Sequence, residues 1–188
     1  MDWMAHLLTL ILFTPSLVAL VLVFVPGEEK TLLRWTAFLG SLIPLALTLV
    51  LWFNFKSGLP GFQFEEKFIW YEALNSTYHL GVDGLSLTMV LLTTLLTPIA
   101  LLASFNITDR VKPYMILLLL LEMGMLGVFI SLDLLLFFVF WEVELIPMYF
   151  LISIWGTGRK EYSAIKYVIY TLVGSAMMLT GPVSWRPS

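Results

Sequence analysis

Three glutamates stand in stretches that are otherwise almost wholly apolar. Glu122 lies in Leu120-Leu121-Glu122-Met123-Gly124, and Glu142 and Glu144 lie in Phe140-Trp141-Glu142-Val143-Glu144-Leu145-Ile146-Pro147. An acid at the middle of a bilayer-crossing helix costs about 2.5–3.5 kcal/mol on insertion scales, so such residues mark proton or ion pathways by default. Burial disfavours the charged form of a carboxyl, and a cationic neighbour favours it. A group balanced between the two exchanges a proton when its surroundings change, which is the chemistry of a relay. The alternative is a protonated glutamate that only hydrogen-bonds to a neighbouring helix. For Glu144 the two readings stand level.

The elements that carry these residues follow from composition. Of 188 residues 60% are hydrophobic and only 12% charged, with a mean hydropathy of +0.94. Soluble domains average roughly 45–50% apolar and about 25% charged residues. A water-soluble enzyme and a disordered tail are excluded. The net charge of −3 offers no basic stripe for a nucleic acid. There is no cysteine, hence no disulfide, thiolate zinc site or iron–sulfur ligation. About 20 apolar residues cross a bilayer core. The expected architecture is an all-α membrane protein with about six transmembrane helices, near residues 6–25, 33–53, 85–105, 114–130, 134–155 and 165–181, in one domain over 1–181. The sixth is short for a span. The first lacks the basic leader and small-residue cleavage site of a signal peptide and is read as a retained helix.

The short link at Ser131, Leu132 and Asp133 forces the fourth and fifth helices into an antiparallel hairpin. With Leu132 as midpoint, Glu122 and Glu142 are expected at one depth, ~15 Å from the turn. Glu142 and Glu144 are two residues apart and point about 200° away from each other on a straight helix, so they cannot share one site. Pro147 removes a hydrogen bond to Val143 and is expected to bend the helix.

Charge gives the orientation. Lys30, Arg34, Arg110, Lys112, Arg159, Lys160 and Lys166 fall in or beside the first, third and fifth loops, against Lys56, Lys67 and Arg186 on the other side. The positive-inside rule places those three loops in the cytoplasm and the N-terminus outside. The long segment from Asn54 to Gly84 is then exterior, with Trp70, Tyr71 and Tyr78 suited to an interfacial cap. Lys166, opening the sixth span at its cytoplasmic end, reads as a snorkelling anchor and positive-inside marker, or as a proton-path candidate. Asp83 and Asp133 read as helix N-caps. His6 and His79 have no metal-ligand spacing. Met115, Met123, Met125 and Met148 suit adaptable packing rather than copper. No Gly-rich nucleotide loop occurs, so no cofactor is expected in this chain.

The run Phe140-Trp141-Glu142-Val143-Glu144-Leu145-Ile146-Pro147-Met148-Tyr149-Phe150-Leu151-Ile152, with Trp155-Gly156 after it, resembles subunit M (chain 4) of NADH:quinone oxidoreductase, respiratory complex I. His79-Leu80-Gly81-Val82-Asp83-Gly84-Leu85-Ser86 and Ile165-Lys166-Tyr167-Val168-Ile169-Tyr170-Thr171 resemble its motifs before the third helix and within the sixth. The resemblance covers residues 1 to about 181. It implies the N-terminal part of an antiporter-like membrane subunit of about fourteen helices that translocates protons along a chain of Glu, Lys and His. Glu142 falls on the family's fifth-helix glutamate. Glu122 sits in a segment similar to many subunit M sequences without a firm role, no role is carried onto Glu144, and Lys166 stands as a further candidate for the proton path. Flavin and iron–sulfur clusters are implied in partner subunits, quinone as the complex's substrate, and other complex I membrane subunits and the lipid bilayer as partners. A bacterial inner membrane, a thylakoid or an organelle membrane would suit such a subunit.

The family's seventh helix, which carries a lysine partner for the fifth-helix glutamate, has no counterpart here. Residues 182–188 form a divergent tail. The expectation is a truncated or partial chain that does not translocate protons alone. The competing readings are a subunit of a multisubunit sodium/proton antiporter and a non-functional truncated assembly piece.

Overall fold

The computed structural model describes residues 3–56, 58, 61–71 and 76–184. Six α-helices form: α1 (Leu7–Phe24), α2 (Lys30–Asn54), α3 (Gly84–Ala103), α4 (Val111–Ile130), α5 (Leu134–Trp155) and α6 (Lys160–Ser184). Between α2 and α3 stand two antiparallel strands, β1 (Gln63–Tyr71) and β2 (Ser76–Val82). Helices α1 to α5 are each long and apolar enough to cross a bilayer. The sixth helix begins five residues earlier than expected, and its first seven residues include Lys160, Glu161 and Lys166. Those charges dilute its hydropathy, although its 25 residues exceed the length a bilayer needs.

Helices α1 to α4 pack on one another as a bundle. Helix α5 lies against α4, and α6 lies chiefly against α5. The hairpin register of α4 and α5 is set by glycine. A Cβ on Gly127 would fall 2.2 Å from the Phe140 ring, and one on Gly124 would fall 3.1 Å from the Glu144 Cα. Small residues permit this close approach, the usual route to helix pairing in lipid. Opposing Gly124 to Glu144 and Gly127 to Phe140 moves Glu122 level with the Leu145–Ile146 turn. Glu122 and Glu142 therefore differ in depth by about 5 Å at 1.5 Å per residue. This corrects the equal-depth expectation: the turn is not symmetric about Leu132, because glycine packing rather than chain midpoint fixes the register.

The loop end of the bundle is tied by basic side chains on carbonyls. Lys112 Nζ donates to the carbonyls of Val23 and Val25 at the end of α1. Lys30 and Arg34 donate to Thr108 and Ile107, and Lys160 to Ile154. Cations at helix C-termini satisfy otherwise orphaned carbonyls and complement the helix dipole.

At the opposite end the segment expected as an interfacial loop is folded as the β1–β2 hairpin. It is anchored at three points. Glu66 is buried, and its carboxylate accepts the backbone N–H groups of Leu8 and Thr9 in the first turn of α1, at 2.8 and 3.2 Å, as well as the Thr9 hydroxyl. The Leu132 amide donates to the His79 carbonyl at 2.8 Å, and the Thr77 amide donates to Asp133. Gly81 lies so close to Leu132 that a Cβ would come within 2.6 Å of its side chain. Tyr78 is partly buried and bonded to Thr9 at 2.9 Å. The side chains of Trp70 and Tyr71 lie outside the described residues.

Both expected aspartate caps are present. Asp83 accepts the Ser86 amide at 2.7 Å while the Ser86 hydroxyl accepts the Asp83 amide at 2.9 Å, a reciprocal capping box on α3. Asp133 accepts the amides of Leu135 and Leu136 at the start of α5.

Candidate functional site

Each of the three intramembrane glutamates sits in a different setting. Glu122 is fully buried within the α1–α4 bundle, and neither of its carboxyl oxygens meets the geometry of a hydrogen bond among the described residues. Thr97 of α3 lies beside it. Glu142 faces a groove of about 550 Å³ between α5 and α6, lined also by Leu145, Tyr149, Ile165 and Ile169. Its Oε1 is buried and unpartnered, as is the Trp141 indole nitrogen next to it. Glu144 turns to the other side of α5, where its backbone and Cβ pack on Gly124. Tyr167 of α6 lies within electrostatic reach of it. The opposed directions of Glu142 and Glu144 follow from their two-residue spacing.

Lys166 is not brought to any of the three. It is exposed, and its ammonium stands 5.6 Å from the centre of the Tyr170 ring one helical turn on. That is the cation–π and snorkelling geometry of an anchor. The described cations of the bundle, Lys30, Arg34 and Lys112, are held on carbonyls at the loop end, away from the acids. Chemically, Glu142 is a half-buried carboxyl lining an apolar groove, with one buried oxygen that has no partner among the described residues. Such a group accepts a proton, water or a cation delivered along the groove and cannot do redox chemistry.

Glu66 was absent from the sequence reading. It lies in Phe64-Glu65-Glu66-Lys67, a polar run that looks solvated. Only the return of the chain over the α1 N-terminus buries it, so no local signal marks it.

The bundle of bilayer-length apolar helices with carboxyls among them defines the class as a polytopic membrane protein. The family described as "NADH:quinone oxidoreductase/Mrp antiporter, TM" matches residues 131–185. NAD(P)H-quinone oxidoreductase chain 4 of a Picosynechococcus species is 40% identical over 178 residues, covering 94% of this chain and 33% of that relative. NADH-quinone oxidoreductase subunit M of Rhodobacter capsulatus is 40% identical over 186 residues, covering 96% and 36%. In a structure of respiratory complex I from Thermus thermophilus with bound NADH, one chain superposes with a TM-score of 0.77 at 27% identity, over 92% of this chain and 34% of that one. The chain is similar to subunit M (chain 4) along nearly its whole length, and it spans about a third of the length of the curated relatives it matches.

Proposed function

We propose that this chain serves as part of the proton-translocating membrane subunit of an NADH:quinone oxidoreductase, contributing to the coupling of electron transfer from NADH to quinone with proton movement. The observation that carries the reading is Glu142: a half-sheltered carboxyl with a buried, unpartnered oxygen in the α5–α6 groove, in the motif shared with subunit M. Glu142 takes up and releases the proton, and its change of charge is felt by groups along the helices. Glu144, on the opposite face of α5 beside Tyr167, and Glu122 in the bundle are secondary carriers. Lys166 anchors the loop end of α6. Flavin and iron–sulfur clusters belong to partner subunits, and quinone is reduced elsewhere in the complex. The membrane neighbours are other complex I subunits and lipid. The N-terminus and the hairpin lie outside, and the three basic loops lie in the cytoplasm of a bacterial inner membrane or the equivalent side of a thylakoid or organelle membrane.

The test is Glu142→Gln in membranes that hold the assembled complex. NADH-driven proton uptake is expected to fall by about tenfold or more, within the range of a lost general acid–base group. Quinone reduction falls with it while the complex still assembles. Undiminished proton uptake would remove Glu142 from the path. Proton exchange driven by a sodium gradient with no response to NADH would favour the antiporter reading instead.

A further inference from the structure

The apolar core of the α1–α4 bundle is divided in two. One cluster, near the hairpin, contains Leu8, Ile11, Leu51, Val90, Leu126 and Ile130. The other, near the basic loops, contains Val18, Leu22, Leu33, Leu101, Met115 and Leu119. The residues buried between them are of another kind on all four helices. On α1 the buried residue between the clusters is Pro15, and on α2 they are Gly40, Ser41, Pro44 and Thr48. On α3 they are Thr93, Thr94, Thr97 and Pro98, and on α4 Glu122 and Gly124. No large aliphatic side chain fills this layer.

Four of the layer's five hydroxyls are committed in a particular way, and the fifth, on Thr48, is buried without a partner among the described residues. Thr93, Thr94 and Thr97 donate to the carbonyls of Met89, Val90 and Thr93, and Ser41 donates to Phe38. A hydroxyl that has spent its hydrogen can only accept. The prolines add acceptors, because each removes the amide that would bond the carbonyl four residues before it, at Ile11, Gly40 and Thr94. Into this acceptor-rich layer points Glu122, 0% exposed, with both oxygens unpartnered. An ionised carboxylate is also acceptor-only. Thr97 lies against Glu122, but its single hydroxyl hydrogen is placed on the Thr93 carbonyl. A proton on Glu122, or water that can donate to Glu122 and meet the unpartnered Thr48 hydroxyl, satisfies the layer. An unsatisfied buried acceptor is destabilising, and a charged one more so.

We infer that the α1–α4 bundle holds an internal water site at mid-membrane, between its two apolar clusters, in which Glu122 stands as a protonated carboxyl donating to Thr97 or to bound water. The site is separate from the α5–α6 groove. Glu144 packs its backbone on Gly124, two residues along α4 from Glu122, and Lys30, Arg34 and Lys112 are tied to carbonyls at the bundle's loop end. The inference rests on α1–α4 alone and is read without NADH or quinone, so its outcome is independent of the role proposed for Glu142.

The experiment is infrared spectroscopy of the purified chain in phosphatidylcholine vesicles at neutral pH. The wild type is expected to show a carboxylic C=O band that Glu122→Gln lacks, and transfer to D2O shifts that band within minutes because water reaches the site. Thr97→Val retains Glu122 and moves the band to higher frequency, as a hydrogen-bond acceptor is lost. This second variant keeps the test decisive should Glu122→Gln misfold. Identical carboxyl spectra in the wild type and both variants would mean an ionised Glu122 and would overturn the inference. So would a band that stays unshifted after hours in D2O, which describes a dry, sealed carboxyl.

Discussion

At the scale of single residues, the same side chain takes different work from what surrounds it. Glu66 and Glu122 are both buried acids, yet Glu66 accepts two helix amides and a hydroxyl while Glu122 has no backbone amide on it and only the Thr97 hydroxyl beside it among the described residues. Glu66 acts as an N-cap supplied from a distant strand, where a carboxylate also meets the positive end of the helix dipole. Tyr78 shares the cluster. Burial pushes its phenol above the ordinary value of 10.0, the Thr9 hydrogen bond opposes this, and the nearby Glu66 carboxylate adds to it. Replacing Glu66 by Ala leaves the Leu8 and Thr9 amides without their acceptor, at a cost of about 1–3 kcal/mol. The expected outcome is a lower thermal midpoint in detergent and faster hydrogen exchange at the Leu8 and Thr9 amides, with Glu66→Gln intermediate. An exchange pattern unchanged from wild type would show that the strand does not cap α1. This residue was illegible in the sequence, because a capping side chain 58 positions away leaves no local pattern. Glu142 was legible, because an acid in a greasy helix stands out wherever the chain goes.

At the scale of elements, hydropathy placed five helices within a few residues, because bilayer thickness sets their length. The hairpin was missed for a physical reason. Its strands make sense only with their anchors on α1 and on the α4–α5 turn, and those contacts are long-range. The motif from His79 to Ser86 is explained by the same anchors: the His79 carbonyl meets Leu132, Gly81 clears the Leu132 side chain, and Asp83 starts α3. The Ser86 amide and then its hydroxyl hold the Asp83 carboxyl below its ordinary value of 3.8. A carboxyl with a lowered folded pKa adds stability above its unfolded pKa and loses it as pH falls through the folded value. The α3 N-terminus is therefore expected to weaken below about pH 4. Asp83→Ala should lower stability at neutral pH by about 1 kcal/mol, the usual worth of an N-cap. It should also flatten the acid limb of the melting-temperature curve. Equal acid sensitivity in both proteins would place the effect elsewhere.

For the whole molecule, the two ends of the bundle are chemically unlike, and that asymmetry should set how it sits in a membrane. One end gathers Lys30, Arg34, Lys112 and Lys160 onto the carbonyls of loops and helix ends. The other carries the hairpin, with Glu65 paired to His79 at 2.8 Å and Glu66 buried on α1. Basic loops resist translocation, so the basic end is expected to remain on the side of synthesis. The chain has no cysteine, so a single introduced thiol reports its own location without background. Thr157 is exposed in the α5–α6 turn, and Phe62 is exposed just before β1 at the opposite end. Thr157→Cys should react with a membrane-impermeant maleimide only in inside-out vesicles, and Phe62→Cys only in right-side-out ones. Neither position makes a hydrogen bond or lies in the core, so each variant should insert as the wild type does. The reverse labelling would invert the molecule and put the mouth of the α5–α6 turn outside. Labelling of both from one side would break the count of three crossings between them, and would show that α3, α4 and α5 do not all traverse the bilayer.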